Sequence, residues 1–183
     1  RRTREMMENA ATYSDVEFQV GMDATPFMAL KAMYARSSEV FSKMFFESGF
    51  RETQAGRQVV QILDVQPVAF EQLHRWVYDM PVDLPAELVF EVLAVARKYM
   101  VEDLDLHCRQ VIATTARTVD GALALYASGY MDHLEAWPEA LLDRVKSFGP
   151  QVLASPAVAL LPLEAFAELV RNPNIGVVSE EAI

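Results

Sequence analysis

Apolar and polar residues alternate strictly in a short segment near the start of the chain. Within residues 14–20 the apolar positions are Val16, Phe18 and Val20, and they alternate with the polar residues Glu17 and Gln19. Because successive side chains of a strand point to opposite faces, this period of two predicts a strand that buries one face. Residues 21–23 (Gly-Met-Asp) supply a turn. The segment is therefore predicted to open a β-hairpin.

The period changes to that of short helices after the hairpin. Four apolar residues recur at i, i+1, i+4 and i+5 and so share one helical stripe: Val40, Phe41, Met44 and Phe45. A polar loop over residues 47–58 follows, and the apolar run at 59–63 predicts another strand. Pro67 suits the first turn of a helix that is predicted to reach Tyr78.

The remainder of the chain carries only helical periods. Two helices are predicted by the stripes Val89, Val92, Leu93, Ala96 and Met100, and Leu104, Cys108, Val111 and Ile112. A polar break at residues 114–120 follows them. Three further stripes come after the break: Leu123, Tyr126 and Ala127; Leu134, Trp137, Leu141, Val145 and Phe148; and Leu163, Phe166, Ala167 and Val170. Ser155 is an N-cap for a helix that starts at Pro156. The last third is predicted to be an all-helical array.

Composition narrows the class of protein. Apolar residues make up 52% of the chain and charged residues 23%, which is typical of a globular domain. The net charge of -10 argues against nucleic acid as a partner, since phosphate binding needs clustered Lys and Arg. The single cysteine, Cys108, excludes an internal disulfide framework, and no apolar run is long enough for a signal peptide or a membrane span. The cytosol or the nucleus is the expected location.

The titratable residues do not form a pattern that predicts catalysis or metal binding. His107 and Cys108 are adjacent, and neighbours on a helix point about 100° apart, so they cannot form a nucleophile-base pair. His74 and His133 have no metal-ligand spacing with each other or with Cys108. A buried structural thiol is the better interpretation of Cys108. We expect no catalytic, cofactor or metal site, and an interaction module rather than an enzyme.

The order of these elements resembles a BTB (POZ) domain followed by the beginning of a BACK domain. The resemblance rests on SDVEFQV, FMALKAMYARSSEVFSKMF, VQILDVQPVAFEQLHRWVYDMPVDL, VLAVARKYMVEDLDLHC and the tail VLASPAVALLPLEAFAELVRNPNIGVVSEEAI. It implies an α+β fold, in which a small mixed sheet flanked by helices precedes an all-α helical-hairpin segment. The implied boundaries are 3–115 for the BTB domain and 116–183 for a BACK domain truncated at its C-terminus. Relatives of this type carry PHR or kelch domains downstream.

The resemblance also implies partners and the residues that bind them. Cullin-binding members share a hydrophobic-x-Glu motif after the second short helix, and Phe50-Arg51-Glu52 matches it, although the spacer after Phe45 is one residue longer. Phe50 and Glu52 are thus the candidates for docking cullin-3, the scaffold of a RING ubiquitin ligase. The alternative for this pair is that Phe50 packs under its own loop and Glu52 is solvated. A substrate protein would bind through a missing C-terminal domain.

Dimerisation in the family uses the N-terminal helix, which is predicted here over residues 3–11, and the first of the two short helices after the hairpin. By resemblance, the candidates for a homodimer interface are Met6, Met7, Ala10, Lys31 and Tyr34. The alternative for Met7 and Ala10 is packing within one protomer. An oligomerising scaffold or a transcription-linked BTB protein that never binds a cullin is the second functional hypothesis. Phe50 and Glu52 discriminate between the two hypotheses.

Two departures from the family pattern bear on the structure. His74 occupies a helix position that is usually leucine, and Met80 replaces the glycine that often follows the Tyr78 position. The turn after this helix is therefore expected to be built differently.

At the other end of the chain, Ser179-Glu180-Glu181 is typical of a helix start only a few residues before Ile183, which predicts a protein that continues.

Overall fold

The structure is a computed structural model, and it describes residues 10–47, 58–131, 137–172 and 175. The chain divides into two compact units. The first unit comprises Arg1–Leu84 and Glu91–His107, and the second comprises Pro85–Phe90 and Cys108–Ile183. The predicted domain boundary between residues 115 and 116 remains a prediction.

The regular elements follow the predicted order. Strands β1, β2 and β3 span Val16–Val20, Thr25–Ala29 and Gln58–Ile62. Helices α1 to α5 span Ala10–Tyr13, Lys31–Ser37, Glu39–Phe46, Pro67–Val77 and Val89–Lys98. Helices α6 to α10 span Glu102–Thr115, Val119–Met131, Trp137–Lys146, Gln151–Ala154 and Leu163–Val170, and a 3-10 helix spans Pro156–Leu160. None of the helices that the structure describes is long and apolar enough to cross a membrane.

The strands form a three-stranded sheet in the order β2-β1-β3. β1 pairs antiparallel with β2 through the predicted hairpin, and parallel with β3. In β1 the side chains at positions 16, 18 and 20 are buried, as the alternation predicts. Gly21 adopts a φ of +74° in the turn, which glycine accommodates without steric cost. The predicted α+β class, with a small mixed sheet flanked by helices, is confirmed.

An aromatic cluster around Phe18 fills the core of the first unit. The Phe18 side chain is fully buried, and its ring centroid lies 4.7 Å from that of Tyr34 and 5.3 Å from that of Phe70. The rings of Phe41 and Phe45, from the predicted stripe of α3, lie 5.6 and 6.1 Å from it. Tilted and edge-to-face contacts of this kind add to the stabilisation from apolar burial. The sheet, α2, α3 and α4 are therefore held together through one side chain of β1.

In the second unit, α7 is apolar on more than the predicted stripe. Its buried side chains include Ala122, Leu123, Leu125, Tyr126 and Ala127, which is expected of a helix that other elements surround. Helix α10 is confirmed as a helix, but the stripe assigned to it is wrong. Leu163 is 80% exposed and Val170 is 40% exposed, whereas Ala165 and Leu169 are fully buried. The Tyr126 hydroxyl also donates a hydrogen bond of 3.2 Å to Glu168 Oε2 of α10.

Other sequence predictions need smaller corrections. The helix predicted up to Met100 ends at Lys98, and Met100 is 59% exposed instead of sharing the buried stripe. The strand predicted at residues 59–63 covers Gln58–Ile62, which leaves Leu63 outside and exposed. Ser155 caps the 3-10 helix as predicted, because its Oγ accepts the backbone N–H of Ala157. Burial of Cys108 is also confirmed.

Two glycines of α7 should respond in opposite ways to alanine. The Gly121 N–H donates to Thr118 Oγ1 at the start of the helix. A Cβ at Gly121 would clash with the Thr115 carbonyl oxygen and lie 2.8 Å from Thr118 Oγ1. We expect Gly121→Ala to lower the free energy of unfolding by about 1 to 3 kcal/mol, although alanine is the better helix former. Urea denaturation followed by circular dichroism measures this change.

Gly129→Ala is the matched control for that experiment. A Cβ at Gly129 would lie 3.4 Å from Phe90 Cε2 and 3.6 Å from Leu141 Cδ1, which are ordinary packing distances. Because only helix propensity then changes, we expect this variant to be unchanged or stabilised by up to about 1 kcal/mol. Equal destabilisation of both variants would contradict the close approach at the start of α7.

Candidate functional site

Helix α2, to which two of the predicted dimer residues belong, is fixed at its N-terminus by two hydrogen bonds from other elements. The Lys31 N–H donates to Asp15 Oδ1 over 2.8 Å, and the Leu30 N–H donates to the Tyr78 hydroxyl over 2.9 Å. Leu30 is the N-cap residue and Lys31 the first residue of α2, and N–H groups at this end of a helix have no partner within the helix itself. The segment before β1 and the end of α4 therefore set the position of α2.

A buried hydrogen bond ties the middle of α2 to α4. The Tyr34 hydroxyl and His74 Nδ1 are 2.7 Å apart, and both side chains are buried. Burial lowers the pKa of His74 to about 4, and burial, followed by the neighbouring Tyr78 and Tyr99 phenols, raises the pKa of Tyr34. Both groups are therefore neutral at pH 7, and the bond joins two uncharged partners. The rings of Phe27 and Tyr78 complete the surroundings of His74, with centroids at 5.6 and 5.0 Å.

Ser38 joins the two short helices and secures them to the end of α5. Its Oγ accepts the N–H of Phe41 over 3.2 Å and so caps α3. The same hydroxyl donates to the backbone carbonyl of Tyr99. One buried serine thus orients α3, whose apolar stripe contributes Phe41 and Phe45 to the core.

The predicted interface residues have different surroundings. Tyr34 is fully buried within the protomer, and Lys31 is 9% exposed. Ala32 and Arg36 form the exposed face of α2, and sequence reasoning did not single them out. Ala10 begins α1, while Met6 and Met7 lie outside the described residues. The assignment of these positions to a dimer interface remains a prediction.

The predicted cullin-docking pair, Phe50 and Glu52, lies outside the described residues, in the gap between α3 and β3. The structure does describe the residues just before the gap. α3 ends at Phe46, whose side chain is 62% exposed, and Glu47 is exposed as well. An exposed aromatic side chain therefore precedes the motif along the chain.

The side chains that the structure describes do not gather into a metal-binding group. Across residues 10–47, 58–131, 137–172 and 175, no group of three or more His, Cys, Asp or Glu side chains could hold a metal ion. His107 stacks on the indole ring of Trp76 with centroids 5.1 Å apart. Trp76 is not among the residues that the sequence pattern singles out. The nearest departure from the family pattern is Met80, which stands in place of a glycine. In the turn before Met80, Asp79 has a φ of +53°.

The architecture agrees with one family of interaction domains. It has a mixed three-stranded sheet, two short helices that pack on the sheet through Phe41 and Phe45, and a helical remainder. The family model for the BTB/POZ domain matches residues 4–116. The chain belongs to the BTB/POZ family. Domains of this family mediate dimerisation and partner binding, so the chain carries a protein-interaction fold.

Proteins of several organisms are similar to this BTB/POZ chain. Mouse "BTB/POZ domain-containing protein 6" is 28% identical over 180 residues, which are 97% of this chain and 31% of the mouse protein. Human "BTB/POZ domain-containing protein 3" is 30% identical over 67% of this chain and 23% of its own length. The Arabidopsis thaliana "ARM repeat protein interacting with ABF2" is 33% identical over 60% of this chain and 15% of its own length. The chain thus spans less than a third of each of these relatives.

Among solved structures, the "BTB domain of zebrafish PATZ1" is similar to this chain with a TM-score of 0.49 and 19% sequence identity. The similarity covers 62% of this chain and 86% of the zebrafish chain.

Proposed function

We propose that this chain is a dimeric adaptor that docks cullin-3 and belongs to the substrate-receptor part of a RING ubiquitin ligase. The observation that carries the proposal is the BTB/POZ match over residues 4–116. The similarity to a mouse BTB/POZ protein over 97% of the chain supports the extension beyond that domain. In this proposal the chain binds proteins and catalyses no reaction, and it works in the cytoplasm or the nucleus.

The proposed cullin contact is Phe50 with Glu52, which match the hydrophobic-x-Glu motif of cullin-binding members. Exposure of Phe46 at the end of α3 supports an apolar docking surface there, since the side chain is 62% exposed. When a partner covers a large apolar ring that is exposed in the free protein, the loss of water-exposed apolar surface stabilises the complex. Glu52 would orient the partner by a charged hydrogen bond.

In the same proposal, residues 116–183 are the first part of a BACK domain. The described residues of this region are helical, with α7 packed against α8 and against the 3-10 helix. The BACK part would separate the cullin from a C-terminal domain that binds the substrate protein. The proposed dimer interface comprises Met6, Met7, Ala10 and Lys31, while Tyr34, which is fully buried within the protomer, would position α2 without contacting the partner.

Replacement of the docking pair tests the proposal. We expect Phe50→Ala with Glu52→Ala to weaken binding of the cullin-3 N-terminal domain by about tenfold to a hundredfold, because burial of a Phe side chain contributes roughly 1.5 to 3 kcal/mol. Isothermal titration calorimetry measures the affinity, and light scattering after gel filtration shows that the dimer mass is unchanged.

Met22→Ala is the control, since Met22 is 87% exposed in the turn between β1 and β2. It removes an exposed apolar side chain outside the docking motif and should leave the affinity unchanged. Unaltered affinity in the double variant would refute the assignment of Phe50 and Glu52. A wild-type dimer with no affinity for cullin-3 would refute the function and favour the oligomerising scaffold.

A further inference from the structure

A groove lies beside Trp76 in the first unit, where the end of α4 meets the turn between α5 and α6. Two adjoining cavities of about 520 and 420 Å³ open there. Both are lined by the same three residues, Trp76, Asp79 and Asp103. The larger cavity extends to Arg36 and to Met100, whose side chain is 59% exposed.

The lining of the groove combines apolar surface with negative charge. Trp76 and Met100 supply the apolar surface, and the carboxylates that line the larger cavity are Glu39, Asp79, Glu102 and Asp103. Arg36 is the one basic residue among the described residues that line it, and it already pairs with Asp79 at 3.6 Å. Glu39 also pairs with Lys43 of the same helix at 2.6 Å, so the negative charge that is left for a cationic partner comes mainly from Glu102 and Asp103, with Asp79 shared with Arg36.

Two residues that line the groove, Asp79 and Met100, have backbone conformations that are unfavourable for residues other than glycine. Asp79 follows the end of α4 and Met100 follows the end of α5, with φ angles of +53° and +51°. Helices usually place glycine at this left-handed position. The carboxylate of Asp79 also lies at the negative end of the helix dipole, where acidic groups are disfavoured. Glu102 and Asp103 are not unfavourable in this way, because acidic residues in the first turn of α6 interact favourably with the positive end of the helix dipole.

We propose that this groove is a docking site for a segment of a partner protein that presents arginine or lysine next to an apolar side chain. The cationic group would lie beside the carboxylates of Asp79 and Asp103 and against the part of the Trp76 indole that the stacked His107 ring does not cover, since aromatic faces attract cations. The apolar neighbour would contact Met100, and methionine adapts to varied side chains at binding surfaces. The proposal uses no residue of the cullin-docking pair and is independent of the proposed function.

Nuclear magnetic resonance can test this with the peptide acetyl-Arg-Leu-Ala-Arg-Leu-Ala-amide as the probe. The chain contains two tryptophans, so its spectrum has two indole N–H signals, and Trp76→Phe assigns one of them. We expect the peptide to shift the Trp76 signal saturably, and the same peptide with glutamine in place of arginine to shift it little. Asp79→Asn with Asp103→Asn should weaken binding roughly fivefold.

The matched control is Asp23→Asn with Glu87→Gln, which removes the same charge from two exposed residues outside the groove. It should change the affinity by less than about twofold. Equal weakening in both double variants would show that the peptide responds only to net charge, and would overturn the proposal. A Trp76 signal that stays fixed, or that shifts with protein concentration alone because a second copy fills the groove, would also overturn it.

Asp79→Gly separates binding from folding. Glycine suits the left-handed position and removes the charge from the end of α4, so we expect the thermal midpoint to stay the same or to rise. Binding of the peptide should nevertheless weaken. A variant that is more stable and binds the peptide as tightly as the wild type would refute a docking role for Asp79.

Discussion

Phe18→Ala should lower the free energy of unfolding by about 3 to 5 kcal/mol, which is a large part of the stability of a typical domain. The Phe18 side chain is fully buried on β1. Its ring contacts those of Tyr34, Phe41, Phe45 and Phe70, which come from three different helices. Truncation to alanine removes all of these contacts and leaves a cavity that a close-packed core cannot fill. Urea denaturation followed by circular dichroism measures the loss.

Phe46→Ala is the matched control, since it makes the same substitution in α3 at a side chain that is 62% exposed. We expect a change of less than about 1 kcal/mol, because little apolar surface is lost and alanine favours helix. The control also shows whether loss of an aromatic residue as such alters the spectroscopic signal. Similar destabilisation by the two variants would contradict the central position of Phe18.

Stability should fall in mild acid because of His74. Burial lowers the pKa of His74 to about 4 in the folded protein, whereas an exposed histidine titrates near 6.5. Between these values the unfolded chain binds a proton and the folded chain does not, so the free energy of unfolding decreases as the pH falls from 6.5 to 4. The loss from this one group is about 3 kcal/mol, and it stops below pH 4, where both states are protonated.

The variant His74→Leu with Tyr34→Phe isolates this contribution from the carboxylates that titrate in the same range. It removes both partners of the 2.7 Å hydrogen bond, so no buried hydroxyl is left without a partner. Urea denaturation at several pH values should show the wild type losing about 3 kcal/mol more than the variant between pH 7 and pH 4. Parallel pH profiles would refute the burial of a neutral His74. His74→Leu alone should be the less stable variant at pH 7, because Tyr34 then lacks its partner.

Local periods predicted the elements well where a single face is apolar. The alternation at residues 16–20 predicted β1, and the stripe of α3 predicted the burial of Phe41 and Phe45. Pro67 and Ser155 marked helix starts because their effects on the backbone are local. The resemblance to BTB/POZ domains rested on these same segments, and the family match confirms it.

Prediction failed where a helix has apolar residues on more than one face. In α10 both Leu163 and Leu169 could face the core, and only the packing of the second unit buries Leu169 and leaves Leu163 80% exposed. The same reason explains α7, whose buried residues exceed one stripe. The periodicity of a helix indicates which of its faces are apolar enough to be buried. Which of these faces is buried depends on the elements that pack against the helix.

The sequence by itself determined the order of strands and helices, because that order depends on side-chain periods and on local backbone preferences. The family and its interaction class came from the resemblance of the quoted segments to BTB/POZ domains. The tertiary structure alone decided that His74 is buried against Tyr34, that Phe18 joins three helices, and that Asp79 and Met100 line one groove with Trp76. Each of these sets includes residues that are far apart in the chain. Their meeting depends on long-range packing, which no local pattern encodes.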